Sequence, residues 1–182
     1  MSCLISTFDP PCDASNVVGG LFGKLYIAKR EDIATAPVVS NVVTAMTMVG
    51  AAVFYEFVFV PQKGSQDEEA TRSESDAMFY TANLKGTLSA NTAEARDFVE
   101  GLADCTCGLV WVYKDGKGVQ YITGLREEGA ITGVGLGDNA KISAASFKTG
   151  DAMTSANTSE VTFTSLCTKL ALRTTVNMTT LV

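Results

Sequence analysis

The chain contains no histidine among its 182 residues. This absence excludes Ser-His-Asp and Cys-His catalysis, and it removes the ligand that zinc and iron sites use most often. One adjacent pair of carboxylates remains as an acid/base candidate, Glu127 and Glu128. On a strand these two side chains point to opposite faces, so they do not form a working pair. The sequence therefore predicts a protein that is not an enzyme and that uses no cofactor or metal.

Long basic stretches and long apolar runs are also absent. The formal net charge is −6, and a surface of this sign repels phosphate backbones, which argues against tight nucleic-acid binding. No apolar run reaches the roughly 18 residues of a membrane span. The run from Val38 to Val60 is interrupted by Asn41, Gly50 and Glu56, and the N-terminus does not resemble a secretory signal. We expect a protein made in the cytoplasm, without membrane insertion.

Cysteines are present but form no recognisable framework. An odd number of cysteines without a secretory signal is typical of reduced thiols. Cys105 and Cys107 are spaced C-x-C, so on a strand they share one face as small buried side chains. The chain holds five: Cys3, Cys12, Cys105, Cys107 and Cys167.

Two further motifs suggest binding sites, but only weakly. The stretch from Gly133 to Asp138 is not G-x-G-x-x-G, and no helix pattern follows it, so its glycines indicate bends in a sheet. Asp67, Glu68 and Glu69 could attract a hard cation, yet the EF-hand spacing is absent. A solvated acidic loop explains this run of charge better.

The organisation of the chain is that of one β-rich domain with an arm. Residues 1–16 contain Asp9-Pro10-Pro11, which blocks helix, and are expected to form an irregular N-terminal arm. Residues 17–182 form the single domain. Within it, 61–76 is interpreted as a long acidic loop that joins strands 51–60 and 77–89 into a hairpin.

One helix is predicted, at about 91–104. Asn91 is a suitable N-cap, and Glu94 stands at the capping-box spacing. An apolar stripe at helical spacing should cover one face of a sheet. It consists of Ala95, Phe98, Val99 and Leu102.

The remaining segments alternate as strands, which makes the predicted fold mainly β. Asp115-Gly116 between two apolar runs is a strong hairpin signal. The expected strands are 23–29, 38–48, 109–113, 119–124, 129–137, 139–148, 160–166 and 170–176.

The second half of the chain resembles the major tail tube proteins of tailed bacteriophages, of the type found in phages and prophages of Bacteroidetes. The resemblance covers about residues 50–166. It lies in the order of the secondary-structure elements and in the residues found at the turns. It runs through the strand Tyr80 to Gly86, the helix, Leu109 to Val112 with Asp115-Gly116-Lys117, Tyr121 to Gly124, Lys148 to Ala152, and Glu160 to Phe163. It departs at Ser155 to Thr158, where family members often carry an Asp-Leu-Asn-Gly-like turn.

The resemblance implies a β-sandwich or small barrel with a flanking helix, whose strands extend into a tube barrel shared between subunits. Hexameric rings of such subunits stack into the hollow tail tube that conducts DNA during ejection. The implied partners are copies of the same chain, and sheath, tail terminator and baseplate proteins. The implied location is the virion tail.

Candidate assembly residues follow from this expectation. Lumen strands are placed at 51–60, 77–89, 129–148 and 158–166. The candidates for the lumen or ring interface are Glu56, Glu127, Glu128 and Asp138. Those for the contact between rings are Asp67, Glu68 and Glu69. The alternatives are a head-decoration or capsid-associated β protein and a ligand-binding β-barrel.

Overall fold

The fold is mainly β with one helix, as predicted. The computed structural model describes residues 21–60, 63–72, 74, 76, 78–88, 93–105, 108–125, 140–148, 158–167 and 170–182. The first strands are β1 Leu21–Lys29, β2 Ile33–Thr35, β3 Val38–Val39, β4 Val42–Val43, β5 Thr47–Met48 and β6 Tyr55–Val58. They are followed by β7 Gly64–Arg72, β8 Met78–Leu88, helix α1 Ala93–Ala103, β9 Leu109–Asp115 and β10 Gln120–Thr123. The last strands are β11 Lys141–Lys148, β12 Thr158–Cys167 and β13 Leu172–Thr174.

Two main sheets carry the fold. A seven-stranded sheet has the order β3-β4-β13-β10-β9-β1-β6, and a four-stranded sheet has the order β11-β12-β8-β7. Neighbouring strands are antiparallel, except that β13 runs parallel to β4. Each sheet has two end strands among the described residues, so neither closes on itself. A small pair, β2 and β5, completes the strands.

The core lies on both faces of the seven-stranded sheet. Strand β9 sends Leu109 and Trp111 into a cluster shared with the four-stranded sheet and the helix. Its alternate residues Val110 and Val112 enter a second cluster on the other face. This double burial explains why the sequence reads as an unbroken apolar run at this strand.

Helix α1 confirms the prediction for 91–104. Its apolar stripe is buried in the shared cluster, where the Phe98 ring stacks on Phe57 with centroids 4.7 Å apart. The Arg96 guanidinium lies 5.3 Å from the centre of the Phe147 ring on β11, so the helix also contacts the four-stranded sheet. Asn91 lies outside the described residues.

The hairpin at Asp115-Gly116 is also confirmed. Strands β9 and β10 pair in antiparallel register from Gln120 opposite Lys114 to Thr123 opposite Trp111. The Asp115 carboxylate accepts the backbone N–H groups of Lys117 and Val119, which closes the turn.

The interpretation of 61–76 as a loop is wrong over most of its length. Residues 64–72 form β7, which pairs with β8 from Gly64 opposite Gly86 to Arg72 opposite Met78. The predicted hairpin of 51–60 with 77–89 is wrong for the same reason, since β6 pairs with β1 and β7 occupies the place beside β8. Charged side chains are common on end strands, because one edge and one face remain in water.

Two smaller expectations also fail. The segment 38–48 is not one strand, because Ser40 and Asn41 adopt positive φ angles of 52° and 63° and form a two-residue turn between β3 and β4. Cys105 is disulfide-bonded, whereas Cys167 carries a buried thiol. The expected reduced state is therefore wrong for Cys105.

The arm at 1–16 lies outside the described residues.

Candidate assembly surface

The four-stranded sheet has one apolar and one polar face. On β8, Ala82, Leu84 and Leu88 are buried against the seven-stranded sheet, and the alternate residues point to the opposite side. We call that opposite side the outer face, and its side chains are exposed or half-buried. Most of its residues are polar, and Phe79, Ala144 and Leu166 are the apolar ones; the described set is Ser65, Asp67, Glu69, Thr71, Phe79, Thr81, Asn83, Lys85, Thr87, Lys141, Ser143, Ala144, Ser146, Glu160, Thr162, Thr164 and Leu166.

A chain of side-chain hydrogen bonds crosses this face, with one residue from each strand. Asn83 Nδ2 on β8 donates to Asp67 Oδ2 on β7 at 3.2 Å. Thr164 Oγ1 on β12 donates to Asn83 Oδ1 at 3.0 Å. The Ser143 hydroxyl on β11 lies 2.8 Å from Thr164 Oγ1 and 3.2 Å from the backbone carbonyl oxygen of Thr162, and its single hydrogen is shared between these two acceptors. This cross-sheet chain links side chains from all four strands.

The structure separates the three acidic residues proposed for the contact between rings. Asp67 and Glu69 lie on the outer face, exposed. Glu68 points to the other side and is half-buried, and its Oε1 accepts the backbone N–H of Ala171 at 3.0 Å. Burial raises the pKa of the Glu68 carboxyl, and the hydrogen bond from Ala171 opposes that rise. The three carboxylates therefore do not converge on a single cation.

Glu56 does not lie on the outer face. It belongs to β6 at the end of the seven-stranded sheet, where its Oε1 pairs with Lys24 Nζ at 2.6 Å. Burial raises the pKa of the neighbouring Tyr26 phenol, and the Glu56 charge raises it further. The other three interface candidates, Glu127, Glu128 and Asp138, lie outside the described residues.

Part of the cross-sheet chain could have been predicted from the alternation of apolar and polar residues along the strands. Asn83 stands between the apolar residues Ala82 and Leu84, in a stretch that alternates between apolar and polar residues. Alternation predicts a polar face, but only the pairing of β7, β8, β12 and β11 shows which residues meet.

Among the described residues, no helix has the length and apolar character needed to cross a membrane. Comparisons with protein-family models, curated proteins and solved structures match nothing.

Proposed function

We propose that this chain is a structural virion protein, the subunit of a phage tail tube. In this proposal, hexameric rings of the chain stack into a hollow tube that conducts DNA during ejection. The observation that carries the proposal is the four-stranded sheet, which combines a polar outer face with two end strands on which a neighbouring copy can pair.

The two end strands are suited to each other. Strand β7 has nine residues and β11 has eight. Because the sheet contains four strands in antiparallel order, β7 runs antiparallel to β11. Copies related by rotation about a ring axis therefore continue the antiparallel alternation when β7 of one meets β11 of the next. Such pairing removes the exposed edges that otherwise promote aggregation.

The chemistry of the outer face supports a lumen through which DNA passes without binding. Its hydroxyl and amide groups bond to one another along the cross-sheet chain. Among the described side chains its charges are of both signs, with Asp67, Glu69 and Glu160 beside Lys85 and Lys141. Tight binding of a phosphate backbone requires several cations on one surface, and this face lacks that arrangement in the described residues.

The partners proposed for such a tube are further copies of the chain, together with sheath, tail terminator and baseplate proteins. Contact with DNA is transient and non-specific. The proposed location is the virion tail, after synthesis in the cytoplasm of the bacterial host.

Negative-stain electron microscopy of the purified chain at rising concentration, with light scattering beside it, tests the proposal. Hollow tubes or six-fold rings are the expected result. A parallel sample is seeded with tail-tip complexes of the same virus, because a tube subunit elongates on such a complex. Monomers in both samples overturn the proposal, and binding to an assembled capsid would then favour the head-decoration alternative.

A further inference from the structure

The two end strands of the four-stranded sheet carry opposite charge. The ionic residues of β7 are three acids and one cation, namely Asp67, Glu68, Glu69 and Arg72. The Arg72 guanidinium pairs with Asp76 beyond the end of the strand, at 3.0 Å, so its charge is already balanced there. The ionic residues of β11 are two cations, Lys141 and Lys148. One edge of the sheet is therefore acidic and the other is basic.

The acids occupy the middle of β7. Glu68 is the central residue of the nine-residue strand, and the exposed side chains of Asp67 and Glu69 flank it. If β7 paired over its full length with β7 of a second copy across a two-fold axis, each Asp67 would stand opposite the Glu69 of the other chain. Like charges directly opposite one another destabilise an antiparallel pair. Two-fold dimers through β7 are therefore disfavoured.

The other edge meets the same obstacle. Full-length pairing of β11 with its own copy would set Lys141 of each chain opposite Lys148 of the other. This pairing is disfavoured for the same reason as the one through β7. A neighbouring copy can cover either edge without opposing like charges only if it presents the other edge.

Pairing of β7 with β11 brings unlike charges together. Lys141 lies opposite Thr164 in the sheet, and Thr164 lies opposite Asn83. Asn83 in turn lies opposite Asp67, so Lys141 and Asp67 stand level at the two edges of the outer face. A copy that continues the sheet therefore places its Lys141 opposite Asp67, or opposite Glu69 after a shift of two residues. That shift also lengthens the overlap of the two strands, and a closed barrel requires a stagger of this kind.

We propose that the opposite charges of the two edges select head-to-tail pairing of β7 with β11 and prevent two-fold dimers through either edge. Repulsion acts against the two like pairings and attraction favours the unlike one, which separates the modes of assembly. Head-to-tail contacts generate rings or filaments, whereas a two-fold contact ends at a dimer. This inference rests on the pairing between copies in the proposed tail tube function, and it names the property that selects the partner edge.

Two variants with edges of uniform charge test the selection. Lys141→Glu/Lys148→Glu makes both edges acidic, and Asp67→Lys/Glu69→Lys makes both edges basic. Neither variant should assemble alone at concentrations at which the unaltered chain forms rings or tubes. An equimolar mixture should assemble, because β7 of each variant is then opposite in charge to β11 of the other. Sedimentation velocity measures assembly, and native mass spectrometry should find the two variants in equal numbers.

Controls separate the charge of the edges from net charge and from folding. Asp97→Lys/Glu100→Lys makes the same change of net charge as the basic variant on the exposed side of α1, and it should assemble like the unaltered chain. Circular dichroism shows whether each variant folds. Reversal of Glu69 alone leaves two acids on β7, so it should weaken assembly without preventing it.

Salt provides a second measurement, on the unaltered chain. Raising the salt from about 0.05 M to about 0.5 M screens exposed charges and should raise the concentration needed for assembly. Assembly that does not respond to salt, either variant assembling alone as well as the unaltered chain, or a mixture of folded variants that stays monomeric overturns the selection by charge and leaves the tail tube proposal standing. An unaltered chain that stays monomeric, or that stops at a two-fold dimer, with and without tail-tip complexes overturns both.

Discussion

The ring of Phe59 fills the space in which a side chain on Gly86 would stand. A Cβ atom at Gly86 would collide with Cε1, Cδ1 and Cζ of that ring. Phe59 is buried in the cluster that joins the two sheets, and Gly86 stands on the inner face of β8. The absence of a side chain at this position therefore lets the aromatic ring approach the backbone of the four-stranded sheet.

Gly86→Ala should destabilise the protein by about 1–3 kcal/mol, because the ring must leave a well-packed position. Urea unfolding followed by circular dichroism measures the change. Thr87→Ala, the next residue on the same strand, is the matched control and should cost less than about 0.5 kcal/mol. In the double variant with Phe59→Ala the two costs should not add, since each change removes the same contact. Strict additivity would refute this account.

Asn83→Ala should lower the free energy of unfolding by about 1 kcal/mol, because it breaks two bonds of the cross-sheet chain on a partly exposed face. Thr81→Ala changes a residue of the same strand and face, and it should be close to neutral. Equal effects of the two substitutions would show that the cross-sheet chain adds no stability.

The Glu68 carboxyl makes the free energy of unfolding depend on pH. Burial raises its folded-state pKa above the ordinary value of 4.5, so the folded chain binds the proton more tightly than the unfolded chain. The contribution of this group to stability is therefore greatest below the ordinary pKa, and it falls as the pH rises through the folded-state pKa. Glu68→Gln should remove this fall and stabilise the protein at pH 7 by at most about 1 kcal/mol, because solvent screens the half-exposed group.

Urea unfolding between about pH 4 and pH 7 tests this difference. Glu69→Gln, on the exposed outer face of the same strand, serves as the control and should alter stability by less than about 0.5 kcal/mol at each pH. If Glu68→Gln and the unaltered chain lose stability in parallel as the pH rises, the assignment to Glu68 is wrong.

The proposed lumen predicts a gain of DNA binding when the charge of the outer face is reversed. Tubes of Glu69→Lys/Glu160→Lys should retain double-stranded DNA at low salt and release it as salt increases, because added cations exchange with counterions on the phosphates. Asp97→Lys/Glu100→Lys makes the same change of charge on the exposed side of helix α1. Sedimentation of tubes with labelled DNA fragments of tube-compatible width compares the two. Equal retention by both variants would place the outer face outside the lumen.

Local sequence patterns determined the helix, the β9–β10 hairpin and the mainly β character. The apolar stripe of the helix, which includes Phe98 and Val99, depends on residues within a few positions of one another. The same holds for the turn at Asp115, so the local sequence is sufficient to predict both. Strand β9 could also be predicted, because burial on both faces demands an unbroken apolar run.

Only the tertiary structure decided which strands are neighbours. The acid-rich segment around Asp67 has the composition of a loop, yet it pairs with β8 because distant residues provide the inner face on which it packs. Asn83 contacts Thr164 because strands that are distant in the sequence pair with each other. Gln66 lies beside the tyrosines of β9 and β10 for the same reason. Strand pairing joins residues far apart in the chain, and a shift of one residue exchanges the two faces, so the proposed surfaces could not be derived from local pattern.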